Sequence, residues 1–327
     1  MLRSTRSLRL SLTVALLALL PSCGGAGGTA VVPVHQSVPL TQLLHPSTPV
    51  VAFVDMDGVR QSPYYAPLRA ALEVIPAAER AELERLMTIL DRSDQLVWGY
   101  DPGSRQEALV NLVAFRGRFE QGDLSRLGPL PETATYRDHT LHGDGTHWAA
   151  VANGDTLLIG TSESVHDALD RLEGIFPGSG PTRPGYAEAA AEARMGSRDL
   201  SVVVLFSEEL RAGLGDGDVE HVLRLNALHA AGSAHFRQGI ELDAFLTTND
   251  ARAVQLLAHE LRDALTEAQD DMGLTAVGAT GLLRQVQVTE DGDTLRVSLR
   301  ATDDEAQALV DNLGSLLRTL FGGAQGG

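Results

Sequence analysis

The sequence predicts an α+β protein built as two tandem related units, with mostly antiparallel sheets and helices packed on one face. Three observations predict it. Short apolar runs with strand character recur along the chain, several closed by Gly-containing turn pairs, as in sheets assembled from hairpins. Longer stretches place apolar residues three and four apart, the spacing of an amphipathic helix. An order of strand, helix, two strands, helix, strands, helix then occurs twice, offset by about 150 residues.

Each unit opens on an apolar strand. PVVAFVDM (49–56) starts the first and leads to a helix entered at Ser62-Pro63, good residues for an N-cap and a first helical position. LSVVVLF (200–206) starts the second, with the helix SEELRAGL behind it. Paired strands come next, QLVWGYDP with EALVNLVAFRG and, in the second unit, LHAAGSAHFR with GIELDAFLTT. In the last of these Ile240, Leu242, Ala244 and Leu246 alternate with Glu241, Asp243 and Phe245, which gives one apolar face. A helix is expected after each pair. The second is plain, because Val254, Leu257, Leu261 and Leu265 share a face between 250 and 271. Hairpins follow, with turns at Asp144-Gly145, Asn153-Gly154 and Asp291-Gly292. Each unit closes on a helix: 163–173 presents Val165, Ala168, Leu169 and Leu172, and 303–320 presents Ala306, Leu309, Leu313 and Leu316 behind a Thr302–Glu305 capping box.

These elements set the expected boundaries. The units span 50–173 and 187–321, joined by a Gly- and Pro-rich linker at 174–186. Residues 23–49 mix glycine, proline and small residues and read as a flexible tether, and 322–327 as a disordered tail.

The first 23 residues carry an address. Arg3, Arg6 and Arg9 precede an apolar run from Leu10 to Leu20. A membrane span needs about 20 such residues, so this run has the form of a removable export signal. Leu20-Pro21-Ser22-Cys23 resembles the lipobox of bacterial lipoproteins, in which the cysteine becomes the lipidated first residue of the mature chain. The resemblance implies a signal peptide over 1–22, lipidation at Cys23 and firm attachment, since several acyl chains hold where one binds marginally. Gly24 after the cysteine implies, in Gram-negative members, the outer membrane, facing the periplasm or the cell surface. The strand, acidic turn and Ser-Pro-led helix at 50–63 is also similar to uncharacterised envelope lipoproteins of high-GC bacteria, a resemblance that brings no activity with it. Cys23 is the only cysteine, so nothing beyond it can form a disulfide or a thiolate.

Charge narrows the partners. The chain has 26 basic residues, all arginine, against 43 acidic ones, a net −17. Such a body is repelled by phosphate backbones and anionic lipid heads, which argues against nucleic acid. The expected partner is a membrane, held through the N-terminal lipid, with an envelope protein or an apolar ligand as further candidates. No cofactor is expected.

Two constellations could carry chemistry. VVAFVDMDGVRQS (50–62) resembles the first motif of haloacid-dehalogenase-type phosphohydrolases. That resemblance implies Asp55 as the nucleophile and Asp57 as the acid/base beside Mg²⁺, a hard cation suited to paired carboxylates at a strand end. The family's later lysine is absent, and the downstream strands pair as hairpins instead of alternating with helices. His142 and His147 form the second. A two-residue loop at Asp144-Gly145 would make them cross-strand neighbours able to take Zn²⁺ or Cu²⁺, with Asp144 or Asp138 as a further ligand and His139 on the other face. The apolar helix faces at 254–272 and 306–320 are core, or else the roof of an apolar cavity. The leading expectation is a lipid-anchored envelope protein with a non-catalytic binding or scaffolding role. A hydrophobic-ligand carrier and a Mg²⁺-dependent phosphohydrolase are its alternatives.

Overall fold

Apolar strands of the kind found in VVAFVD and LSVVVL have valines at both parities, so both of their faces need cover. The computed structural model, which describes residues 38–72, 75, 77–103, 111–276 and 278–322, meets that need with one sheet and two helical layers. Strand β1 (Val50–Asp55) is followed by helices α1 (Met56–Arg60), α2 (Tyr65–Leu72) and α3 (Ala77–Arg92). Strands β2 (Ser93–Tyr100) and β3 (Leu112–Gly117) come next, and a 3₁₀ turn at Gln121–Arg126 leads to β4 (Glu132–Tyr136). The meander β5 (His139–Gly143), β6 (Trp148–Ala152) and β7 (Thr156–Gly160) ends in α4 (Ser162–Leu172).

The second half repeats the opening with α5 (Tyr186–Glu192), β8 (Leu200–Leu205), α6 (Glu208–Ala212) and α7 (Asp218–Asn226). It continues with β9 (Ala227–His235), β10 (Ile240–Thr248), α8 (Ala251–Gln269), α9 (Met272–Ala276) and α10 (Ala279–Leu283). Strands β11 (Gln287–Asp291) and β12 (Thr294–Ala301) precede α11 (Asp303–Gly322).

All twelve strands join one sheet in the order β11-β12-β10-β9-β8-β1-β2-β3-β7-β6-β5-β4, and every neighbouring pair is antiparallel. The fold is α+β. Strand order in the two halves runs alike outward from the centre, β1-β2-β3-β7-β6 one way and β8-β9-β10-β12-β11 the other. The halves meet where β1 pairs with β8, from Val50 opposite Val204 to Val54 opposite Leu200.

The expectation of helices on one face is corrected here. On the first face Val54, Phe115 and Leu157 pack with Met56, Tyr65, Met87 and Leu90 of the α1–α3 region and with Ala306 and Val310 of α11. On the second, Val51, Val97, Ala114 and Leu158 pack with Val165, Ala168 and Leu169 of α4. Helix α5 extends this layer by setting Ala189 and Ala193 against Val203 and Leu205.

Two boundaries shift as well. Residues 38–49, expected as tether, belong to the folded body. Leu40–Leu43 form a 3₁₀ turn, and Leu40, Leu43 and Leu44 are buried in the second-face core. The expected linker is strapped onto that turn: Thr182 N–H donates to the Pro46 carbonyl at 2.9 Å, and Arg183 donates to the Ser47 carbonyl. No helix follows β3. Its place is taken by the turn at Gln121–Arg126, where Asp123 and Glu120 form a reciprocal cap and Arg92 grips both Asp123 oxygens. The helices expected at 163–173, 250–271 and 303–320 stand within two residues of those limits, and Thr302 and Glu305 make their capping box.

Candidate functional site

Cys23, the signal segment and the rest of residues 1–37 lie outside the described residues. The carboxylates at the end of β1 are in view. Asp55 is the N-cap of α1, and its Oδ1 accepts the Gly58 N–H at 3.2 Å. Its own N–H donates to the Asp199 carbonyl at 2.8 Å. Asp57 is half-exposed and ion-pairs with Arg60, which also donates to the Leu90 and Ser93 carbonyls and reaches Asp94 at 3.5 Å. Asp94 lies beside this pair. Burial, then the Asp57 charge, hold its carboxyl above the usual range against the pull of Arg60 and Arg118.

The glycine of this stretch has its own cause. A Cβ on Gly58 would come within 2.1 Å of Asp199 Oδ1. Asp199 is buried, and its Oδ2 accepts the Phe236 N–H at 2.7 Å while lying 2.9 Å from His235 Nδ1. Asp55, Asp57 and Gly58 therefore cap a helix, pair with an arginine and make room for a buried carboxylate. The surrounding sheet also differs from what the phosphohydrolase resemblance implies, because both neighbours of β1 run antiparallel to it.

The histidine hairpin turns one residue later than expected, which shifts its cross-strand pairing by two residues. Asp144 Oδ1 accepts the N–H groups of Thr146 and His147, at 2.9 and 2.7 Å, and these bonds draw its carboxyl below the usual range. That local ring centres the turn on Gly145-Thr146, with Gly145 at φ +90°. His142 therefore stands opposite Ala149, and the Asp144 N–H bonds the His147 carbonyl. The two imidazoles are not cross-strand partners. His139 is 2.8 Å from a Glu173 carboxylate oxygen. Among the described residues no group of three or more His, Cys, Asp or Glu side chains is placed to hold a metal ion.

Two cavities have polar walls. One of about 320 Å³ lies beside the Leu40–Leu43 turn and is lined by His45, Ser47, Asp101, Asn111, Glu163 and Asp167 among others. Within it His45 Nδ1 is 2.6 Å from Ser47 Oγ, and Ser47 Oγ is 3.5 Å from Asp101. The imidazole and the carboxylate thus both meet the hydroxyl and not each other, an arrangement for holding a polar group in place. The larger, about 560 Å³, opens on the second face of β11 and β12 and is lined by Arg284, Gln285, Gln287, Thr289, Arg296, Ser298 and Arg300.

Asp243 anchors the larger wall. It is 3 % exposed and takes Arg296 on one oxygen and Arg300 on both, at 2.9–3.2 Å. Burial pushes its carboxyl up, but the hydrogen bonds from Arg296 and then Arg300 outweigh that and hold it below the usual range. Of the two apolar helix faces, Val254, Leu257 and Ala258 pack against Leu295, and Ala306 and Val310 lie in the first-face core.

No family model matches the chain, and no curated protein matches its sequence. Its fold has solved counterparts. The structure of TP0453 in crystal form III is 11 % identical, with a TM-score of 0.52 over 86 % of this chain and 99 % of that one. Crystal form IV of the same protein is 10 % identical, with a TM-score of 0.51 over 85 % and 98 %. Likeness at such identity is a likeness of fold.

Sequence reasoning passed over the arginine-lined wall. The signal was present: Arg296, Ser298 and Arg300 share one parity on β12, opposite Phe245, Asp243 and Glu241 on β10. The polar parity of that hairpin reads as a solvated face until Asp243 is seen to be buried beneath it.

Proposed function

We propose that the chain is an envelope lipoprotein, exported, acylated at Cys23 and held at a membrane, where its folded body has a non-catalytic binding or scaffolding role. The run from Arg3 through Leu10–Leu20 to Leu20-Pro21-Ser22-Cys23 carries this reading. The cap made by Asp55 supports the non-catalytic part, because it gives that carboxylate a structural use. The matching strand orders of the two halves support the view that the body is one plan duplicated. Among the described residues no helix is long and apolar enough to cross a membrane.

Metabolic labelling tests it. The full chain, expressed in a Gram-negative host fed radiolabelled palmitate, is expected to take up label and to sediment with the outer membrane. Cys23→Ser should lose the label and leave that fraction. A wild-type chain that is exported without label overturns the anchor, and label confined to the inner membrane overturns the outer-membrane assignment.

A further inference from the structure

The arginine-lined cavity is chemically unlike the rest of the molecule. In a chain with 43 acidic and 26 basic residues, its seven lining residues include three arginines and no carboxylate. The other four are Gln285, Gln287, Thr289 and Ser298, all able to donate a hydrogen bond.

The arginines are not equally committed. Arg300 is fully engaged, with Asp243, Glu241 and the carbonyls of Leu242 and Leu299. Arg296 gives one terminal nitrogen to Asp243 and lies over the Phe245 ring at 5.3 Å, which fixes the plane of its guanidinium and leaves the rest of the fork open. Arg284 is exposed and makes no ion pair with any described residue. Glu241 is shared with Arg198 at 2.8 Å, and Glu305 touches the wall only through Gln285. Four guanidinium groups thus gather around three carboxylates. Among the described residues one positive charge is left over, shared between Arg284, which has no ion pair, and Arg296, which gives only one terminal nitrogen to Asp243.

We propose that this cavity binds a small oxyanion, a phosphate or carboxylate group of a soluble ligand, between Arg284 and Arg296. Guanidinium forks match the paired oxygens of such groups, and charge-assisted bonds of this kind are about twice as strong as neutral ones. The acidic body disfavours an anionic membrane surface as the source and favours a free molecule. The inference gives a ligand class to the binding role proposed above and rests on that reading. The wall is independent of Cys23, so failure of labelling and failure of oxyanion binding are separate results.

Calorimetric titration of the full-length protein in neutral detergent tests it, with inorganic phosphate and citrate as probes at ionic strength held constant with chloride. Saturable binding of at least one probe at one site per chain is expected. Arg284→Gln and Arg296→Gln should each weaken it at least tenfold, while Arg69→Gln, an arginine engaged with Asp91 in the other half, should leave it unchanged. Because Arg296 also braces Asp243, the Arg284→Gln result stands as the arm free of folding effects. Anionic phospholipid vesicles added to the Cys23→Ser chain distinguish the source. Binding to them through the same two arginines in preference to the soluble probes overturns the free-ligand assignment. No saturable binding of either probe, or binding that survives both substitutions, overturns the site.

Discussion

At the scale of single residues, the Asp55 side chain decides between a cap and a nucleophile. As N-cap its Oδ1 needs only to accept the Gly58 N–H, a task that asparagine performs as well as aspartate. Asp55→Asn is therefore expected to unfold in urea at the wild-type midpoint, whereas Asp55→Ala should lose about 1 kcal/mol. Equal losses in both variants would show that the charge, and not the cap, is what the site requires. The acidic stretch was visible in the sequence, but its use was not. Gly58 is demanded by Asp199, and Asp144 by two backbone N–H groups within its own turn. The first partner is remote in sequence, and the second moves a turn by one residue and the strand pairing by two.

Among elements, the turn at Leu40–Leu43 shows where periodicity is too short to read. Leu40, Leu43 and Leu44 have the spacing of one helical face, but Pro39 and Pro46 bracket them and leave a single turn. Leu43 is 0 % exposed. Leu43→Ala should cost about 3 kcal/mol, as deletion of a buried leucine does, and Leu43→Met, which keeps the volume, should recover most of it. A chain indifferent to both changes would return residues 38–49 to the tether. The long helices were legible for the opposite reason. Helix α8 runs for 19 residues and sets Val254, Leu257 and Ala258, with Leu261 beside them, against the sheet, a repeat that outweighs any one residue. After β3 the chain offers only Leu124 and Leu127 across its short turn, and those close a 3₁₀ turn instead of a helix.

For the molecule as a whole, the question is whether two units or one body unfolds. The strands of each unit could be read one by one, but their fusion could not, because pairing of β1 with β8 leaves no local mark on either strand. Once joined, the halves share a core: Val54, Tyr65 and Phe115 of the first half pack in one cluster with Phe236, Ala306 and Val310 of the second. Both tryptophans, Trp98 and Trp148, lie in the first half, so their fluorescence reports that half alone, while far-ultraviolet circular dichroism reports both. A shared core should make the two urea transitions coincide, as a single cooperative unit requires. Val310→Ala in α11 should then lower the tryptophan midpoint together with the dichroism midpoint, by about 2 kcal/mol of stability. Independent units would behave otherwise. The tryptophan signal would keep its wild-type midpoint while the dichroism split into two steps, and the continuous sheet would then be two folding units meeting at a seam.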